Sequence, residues 1–209
     1  MNKYHNCFVT NKYDISNRRK PKFKKKNIFT KYDICFFNLM NILRHESITP
    51  FYDRNVERQT KLEISQKMDN IKFKQKDRII ESLAYEENIN IEVIDALCIF
   101  FSVNAIFISD KCFFKMFHGE IPILTSNIIV INKNCDVYHM KYEKIKTQIL
   151  TSYEITNIMK PMNSMSYYKV QDLKNISEQI GVEIEEKMKK KDIYDFLHDY
   201  FTQCITITN

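Results

Sequence analysis

Two hydrophobic periods divide this chain. From residue 31 the run KYDICFFNLMNILRH repeats apolar residues at helical spacing, with Phe36, Phe37, Leu39, Met40 and Leu43 on one face and Asp33 placed to cap the helix. Pro50 closes the loop that follows. Residues 56–68 and 74–85 then read as two further helices, charged on their outer faces, with Leu62, Met68, Ile79, Ile80 and Leu83 turned inward. Asn90 is placed to cap a fourth helix that buries Ile94, Leu97, Cys98 and Phe101. Beyond it the period shortens. Residues 105–108 read as a strand, Ser109, Asp110 and Lys111 as a tight turn, and residues 112–117 as the returning antiparallel strand. Residues 127–131, the turn NKNCD and residues 137–142 form a second predicted hairpin, and residues 144–159 read as a strand-and-loop connector.

The clearest pattern lies at the end of the chain. Residues 160–201 place Val170, Leu173, Ile176 and Ile180 on one helical face and Ile193, Phe196, Leu197 and Tyr200 on another. Gly181 falls where a helix ends in a left-handed cap, and Val182 and Ile184 suit a brief extended stretch. The expected fold is α+β. A mainly helical body with a small antiparallel sheet (31–159) follows a basic arm expected to be disordered when free (1–30), and a helix-extended-helix module (160–209) ends the chain.

Charge sharpens this division. The net charge of the 209 residues is +6, yet residues 1–31 hold ten Lys or Arg against the single acid Asp14, so the remainder is slightly acidic overall. The run Arg18, Arg19, Lys20, Lys22, Lys24, Lys25 and Lys26, interrupted by Pro21, reads as a phosphate anchor, a nuclear localisation signal or a solubilising tail. A smaller basic run, Lys187, Lys189, Lys190 and Lys191, precedes the last helix; with Lys169 and Lys174 it would position phosphates without reading bases. The abundance of Ile, Asn and Lys and the scarcity of Gly and Pro fit an AT-rich genome.

Chemistry is constrained more by what is missing. Gly119 and Gly181 are the only glycines, which excludes a P-loop, a GxGxxG dinucleotide fingerprint and a GxSxG elbow. The six cysteines are dispersed with no CxxC pair, as suits a reducing compartment, and no apolar run has the length of a membrane span or of a signal-peptide core. Cys35, near the start of a buried helix, is the candidate nucleophile, with His139 as its base; the plainer reading is a buried structural cysteine. Cys112, His118, Cys135 and His139 form a weak candidate metal set, because each Cys–His pair would share one strand face but lacks the close spacing of a zinc knuckle. No cofactor is implied.

The order of a helix bearing Cys35, further helices, a hairpin and a strand bearing His139 is similar to papain-like and ovarian-tumour-type cysteine peptidases. Asp33-Ile34-Cys35-Phe36-Phe37 resembles the latter's Asp-x-x-Cys-Leu-Phe motif with one residue missing, in the loop that would form the oxyanion hole. KYDICFFNLMNIL and KPMNSMSYYKVQDLKNISEQIGVEIEEKMKKKDIYDFL resemble an uncharacterised, Mimivirus-like family of giant nucleocytoplasmic DNA viruses. The match is strongest at Lys160, Pro161, Tyr168, Lys169, Leu173, Lys190, Lys191 and Tyr194. The tail also resembles SAP and Rho-N-like modules, which commonly bind DNA or RNA. These resemblances imply a non-enzymatic viral structural or accessory protein, in the virion or in a viral factory of the host cytoplasm, with the nucleus left open. Its partners would be nucleic acid, DNA before RNA, or inner capsid and core proteins. The alternative is a divergent or inactive cysteine peptidase or deubiquitinase, with ubiquitin as its partner.

Overall fold

The computed structural model describes residues 33–44, 53–120, 122, 124–185 and 187–207. The basic run from Arg18 to Lys26 lies outside the described residues. Among the described residues the architecture is α+β. Four helices, α1 (Ile34–Leu43), α2 (Arg54–Met68), α3 (Lys76–Tyr85) and α4 (Ile91–Phe100), precede the strands β1 (Asn104–Ser109), β2 (Cys112–Phe117), β3 (Asn127–Asn132) and β4 (Val137–Lys141). Then come α5 (Tyr142–Ile149), the short strand β5 (Tyr153–Glu154), α6 (Val170–Ile180) and α7 (Lys190–Cys204).

Local chemistry sets the helix starts. Asp33, Asp53 and Asn90 each turn a side-chain oxygen onto an unpaired backbone N–H of the first turn of α1, α2 and α4. Helix α6 ends at Gly181 with φ of 73°, where Gly181 N–H and Val182 N–H close back on the last turn, a conformation that suits glycine.

The sheet is mixed, in the order β4-β3-β1-β2-β5. Both predicted hairpins are present, β1 with β2 and β3 with β4, but β1 pairs β3 in parallel and β2 pairs β5 in parallel, so the sheet is not purely antiparallel. Gly119 lies on the crossover from β2 to β3, where a Cβ would come 2.7 Å from the Ser102 carbonyl oxygen. Strand alternation gives the sheet two apolar faces. Ala105, Phe107, Phe114, Met116, Ile129 and Ile131 pack with α1 to α4, whereas Ile106, Phe113, Ile128 and Val130 pack with Ile145 and Ile149. That second face explains why residues 142–149 are helical rather than a connector. Ile145 and Ile149, four apart, cover a sheet face that would otherwise stay wet.

The tail docks on the β2–β5 edge. Leu173 and Ile180 of α6 and Ile193, Leu197, Phe201 and Cys204 of α7 share one core with Cys112, Ile155, Met162 and Tyr168. The Tyr153 and Phe201 rings stack at 4.5 Å, and Gln179 donates to the Ser152 carbonyl at 3.0 Å. Three predicted inward residues do not face a core. Leu62, Val170 and Phe196 are exposed: the buried stripes of α2 and α7 run one position away from Leu62 and Phe196, and Val170 is the first residue of α6, ahead of the part of its stripe that is covered. Leu43, Ile80 and Phe101 are half-buried at the margins of the main core.

Candidate functional site

The first helix brings an ion cluster into the interior. Asp33, Glu57 and Lys61 are all buried, with Lys61 only 2% exposed. Asp33 Oδ1 accepts from Phe36 N–H at 3.0 Å, while Asp33 Oδ2 accepts from Ile89 N–H at 2.5 Å and from Lys61 Nζ at 3.2 Å. Glu57 Oε2 accepts from Asp33 N–H at 2.6 Å, and Glu57 Oε1 lies 3.1 Å from Lys61 Nζ. Lys61 also donates to the Glu87 carbonyl at 3.1 Å and stands over the Phe36 ring at 5.2 Å. Each charged group is hydrogen-bonded, so the cluster fastens α1, α2 and the turn before α4 to one another and offers no group to a substrate.

Cys35 lies beside this cluster and is fully buried. Its thiol is hydrogen-bonded to Cys135, and that bond, burial and the Asp33 carboxylate all raise its pKa. This is the reverse of what a nucleophile needs, since the thiolate is the attacking species. His139 stands exposed on the edge strand β4, opposite Ile129. The structure therefore gives Cys35 a thiol partner and a buried structural setting, in place of the predicted Cys35–His139 pair.

The candidate metal residues separate in the same way. Cys112 meets Cys204, Cys135 meets Cys35, His118 Nε2 lies 2.6 Å from Asp95 Oδ1, and His139 is on the sheet edge. Among the described residues no group of three or more His, Cys, Asp or Glu side chains is arranged to hold a metal ion. Asp95 also lines a cleft of about 520 Å³ with Phe73, Ile79, Glu92, Phe114 and Asn157. Neither the Asp95–His118 pair nor the Lys61 cluster was anticipated from sequence. The available signals were the i,i+4 pair Glu57 and Lys61 and the helical register of Glu57, Lys61, Ile64, Ser65 and Met68, which marks the buried stripe.

Of the run expected before the last helix, Lys187 and Lys189 precede α7, whereas Lys190 and Lys191 form its first turn. Lys169 and Lys189 occupy the N-cap positions of α6 and α7, without a side-chain cap bond, and Lys187 and Lys191 are exposed. Lys190, Tyr194 and His198 recur at four-residue intervals on the flank of α7 beside its buried stripe, with Lys191 on the same side. An aromatic ladder continues from this flank. His198 and Tyr194 lie 6.0 Å apart between ring centroids, Tyr194 and Tyr168 6.3 Å, and Tyr168 and Tyr167 5.2 Å. Tyr194 Oη donates to the Asn163 carbonyl at 2.8 Å, which holds α7 against the segment before α6, and Tyr167 at the ladder's end is 71% exposed. Asp192, Asp195 and Asp199 occupy the outer face of α7.

The chain matches no protein-family model, no curated protein sequence and no solved structure. Among the described residues no helix is long and apolar enough to cross a membrane.

Proposed function

We propose that this chain is a non-enzymatic viral accessory protein, of the virion or viral factory, that holds nucleic acid on the flank of α7. The observation that carries this reading is how the tail uses its two sides. Its apolar face is consumed in the core shared with β2 and β5, which leaves Lys191 and Tyr167 exposed and Lys190, His198 and the core-packed Tyr194 half open to a partner. Lysines beside an aromatic ladder suit a single strand, whose phosphates meet ammonium groups while its bases stack on rings. The basic run from Arg18 to Lys26 would add seven further cations to the same attraction. The viral setting rests on the resemblance of the body and tail segments; DNA is the first nucleic acid to test. Docking on inner capsid or core proteins is the competing partner class, and the exclusion of water from the tail's apolar face speaks against that face as its surface.

Fluorescence anisotropy of a labelled single-stranded thymidine oligonucleotide, titrated with full-length protein across a salt series, tests the proposal. Affinity is expected to fall linearly on logarithmic axes as salt rises. Tyr194→Ala should weaken binding by about 1–3 kcal/mol, the usual worth of one stacked base. Absence of binding at low salt would overturn the reading, and an undiminished affinity in Tyr194→Ala would remove the ladder from it.

A further inference from the structure

Cys112 opens β2 and Cys204 closes α7, ninety-two residues apart in sequence, yet the Cys112 thiol donates to Cys204 Sγ across 3.4 Å in the buried tail core. Two thiols from distant elements thus face each other in contact, and a disulfide requires them to approach to roughly 2.05 Å. Cys204 belongs to the last turn of α7, where backbone movement is least costly. Ser109 is the strand partner of Cys112 in the β1–β2 hairpin, so the two side chains share a sheet face. Its buried hydroxyl has no hydrogen-bond partner among the described residues.

We propose that Cys204, Cys112 and Ser109 form a hydroperoxide-reactive site that closes to a Cys112–Cys204 disulfide and ties α7 to β2. Cys112 is the donor of the pair, and its hydrogen bond to Cys204 and burial both raise its pKa. Cys204 is the attacking sulfur. The Cys112 thiol lowers its pKa most, Tyr200 Oη and Lys133 lower it further, and burial and Asp110 oppose them. In the first step Cys204 sulfur bonds to one peroxide oxygen, the O–O bond breaks, and the other oxygen leaves as water or an alcohol with the proton of the Cys204 thiol; Cys204 becomes a sulfenic acid. The Ser109 hydroxyl donates to the oxygen of the reacting group. In the second step Cys112 sulfur attacks Cys204 sulfur, the S–O bond breaks, and water leaves with the Cys112 proton. Two thiols are oxidised by two electrons and one hydroperoxide is reduced.

The experiment uses full-length, reduced protein exposed to a few equivalents of hydrogen peroxide, then quenched with an alkylating reagent in denaturant and mapped by mass spectrometry without reduction. The expected product is a Cys112–Cys204 linked peptide, formed before the exposed Met159 and Met165 become sulfoxides and reversed by a dithiol. Ser109→Ala should slow the linkage several-fold while leaving its identity unchanged. Full alkylation of both cysteines after peroxide, or a linkage only between Cys35 and Cys135, would overturn the proposal. An unchanged rate in Ser109→Ala would overturn the hydroxyl's role. The wild-type map requires no variant to fold, and the covalent readout does not depend on nucleic-acid binding.

Discussion

In α2, Lys61 is enclosed by two carboxylates, two backbone carbonyls and the Phe36 ring. In α7, Lys189, Lys190 and Lys191 stand at the helix start, without a side-chain cap. The same residue type holds the body together in one place and is displayed in the other. Burial of Lys61 is tolerated because Glu57 lies one turn before it and Asp33 is brought across by α1, so the ammonium exchanges water for fixed acceptors. The α7 lysines have no such exchange. They oppose the positive end of the helix dipole, which Asp192 in the same first turn complements, and the proposed nucleic acid would add phosphate charge there.

The sharpest way to break the comparison is Lys61→Met. It retains the stem's volume but leaves the Asp33 and Glu57 carboxylates buried without a cation, and should lower stability by about 3–5 kcal/mol in urea denaturation. A loss near that of a surface change would mean that the cluster is open to water. Leu197→Ala, which hollows the core shared by α6, α7 and the β5 edge, should cost about 2–5 kcal/mol. Because that core includes Cys112 and Ile155, tyrosine fluorescence and far-ultraviolet circular dichroism should report one coincident transition. Two separated transitions would instead mark the tail as an independent unit.

What the sequence discloses depends on whether a residue's chemistry agrees with its address. The caps at Asp33 and Asn90, the tight β1–β2 turn and the left-handed end of α6 at Gly181 are local devices, and each is legible from a few neighbouring residues. In α2 the rule that charge faces water misleads, since it moves the inward stripe onto Leu62 and away from Glu57 and Lys61. The stripe's helical register was present, but the partner that neutralises it, Asp33, arrives from a different helix. Pairings across the fold are hidden for the same reason. Cys35 with Cys135 and Cys112 with Cys204 depend on the parallel β1–β3 and β2–β5 contacts, which no local pattern encodes. The candidate platform was legible in its lysines and not in its aromatic ladder, because Tyr168 reaches Tyr194 only after α6 folds back against α7.

The smallest effect separates the two uses of lysine most cleanly. Lys190 is the first residue of α7, and Lys190→Glu exchanges a charge that opposes the helix dipole for one that complements it. Thermal unfolding should show the variant more stable by about 0.3–1 kcal/mol at low ionic strength, an advantage that fades as salt screens it. Its affinity for single-stranded DNA should fall in the same buffer, because the reversed charge faces the phosphates that Lys190 would meet. Opposite signs in the two measurements are expected only if Lys190 is held at a cost to the fold for the sake of a ligand. A variant that gains stability and loses no affinity would make the lysine an ordinary solvated charge, and would leave the arm before α1 as the main source of attraction.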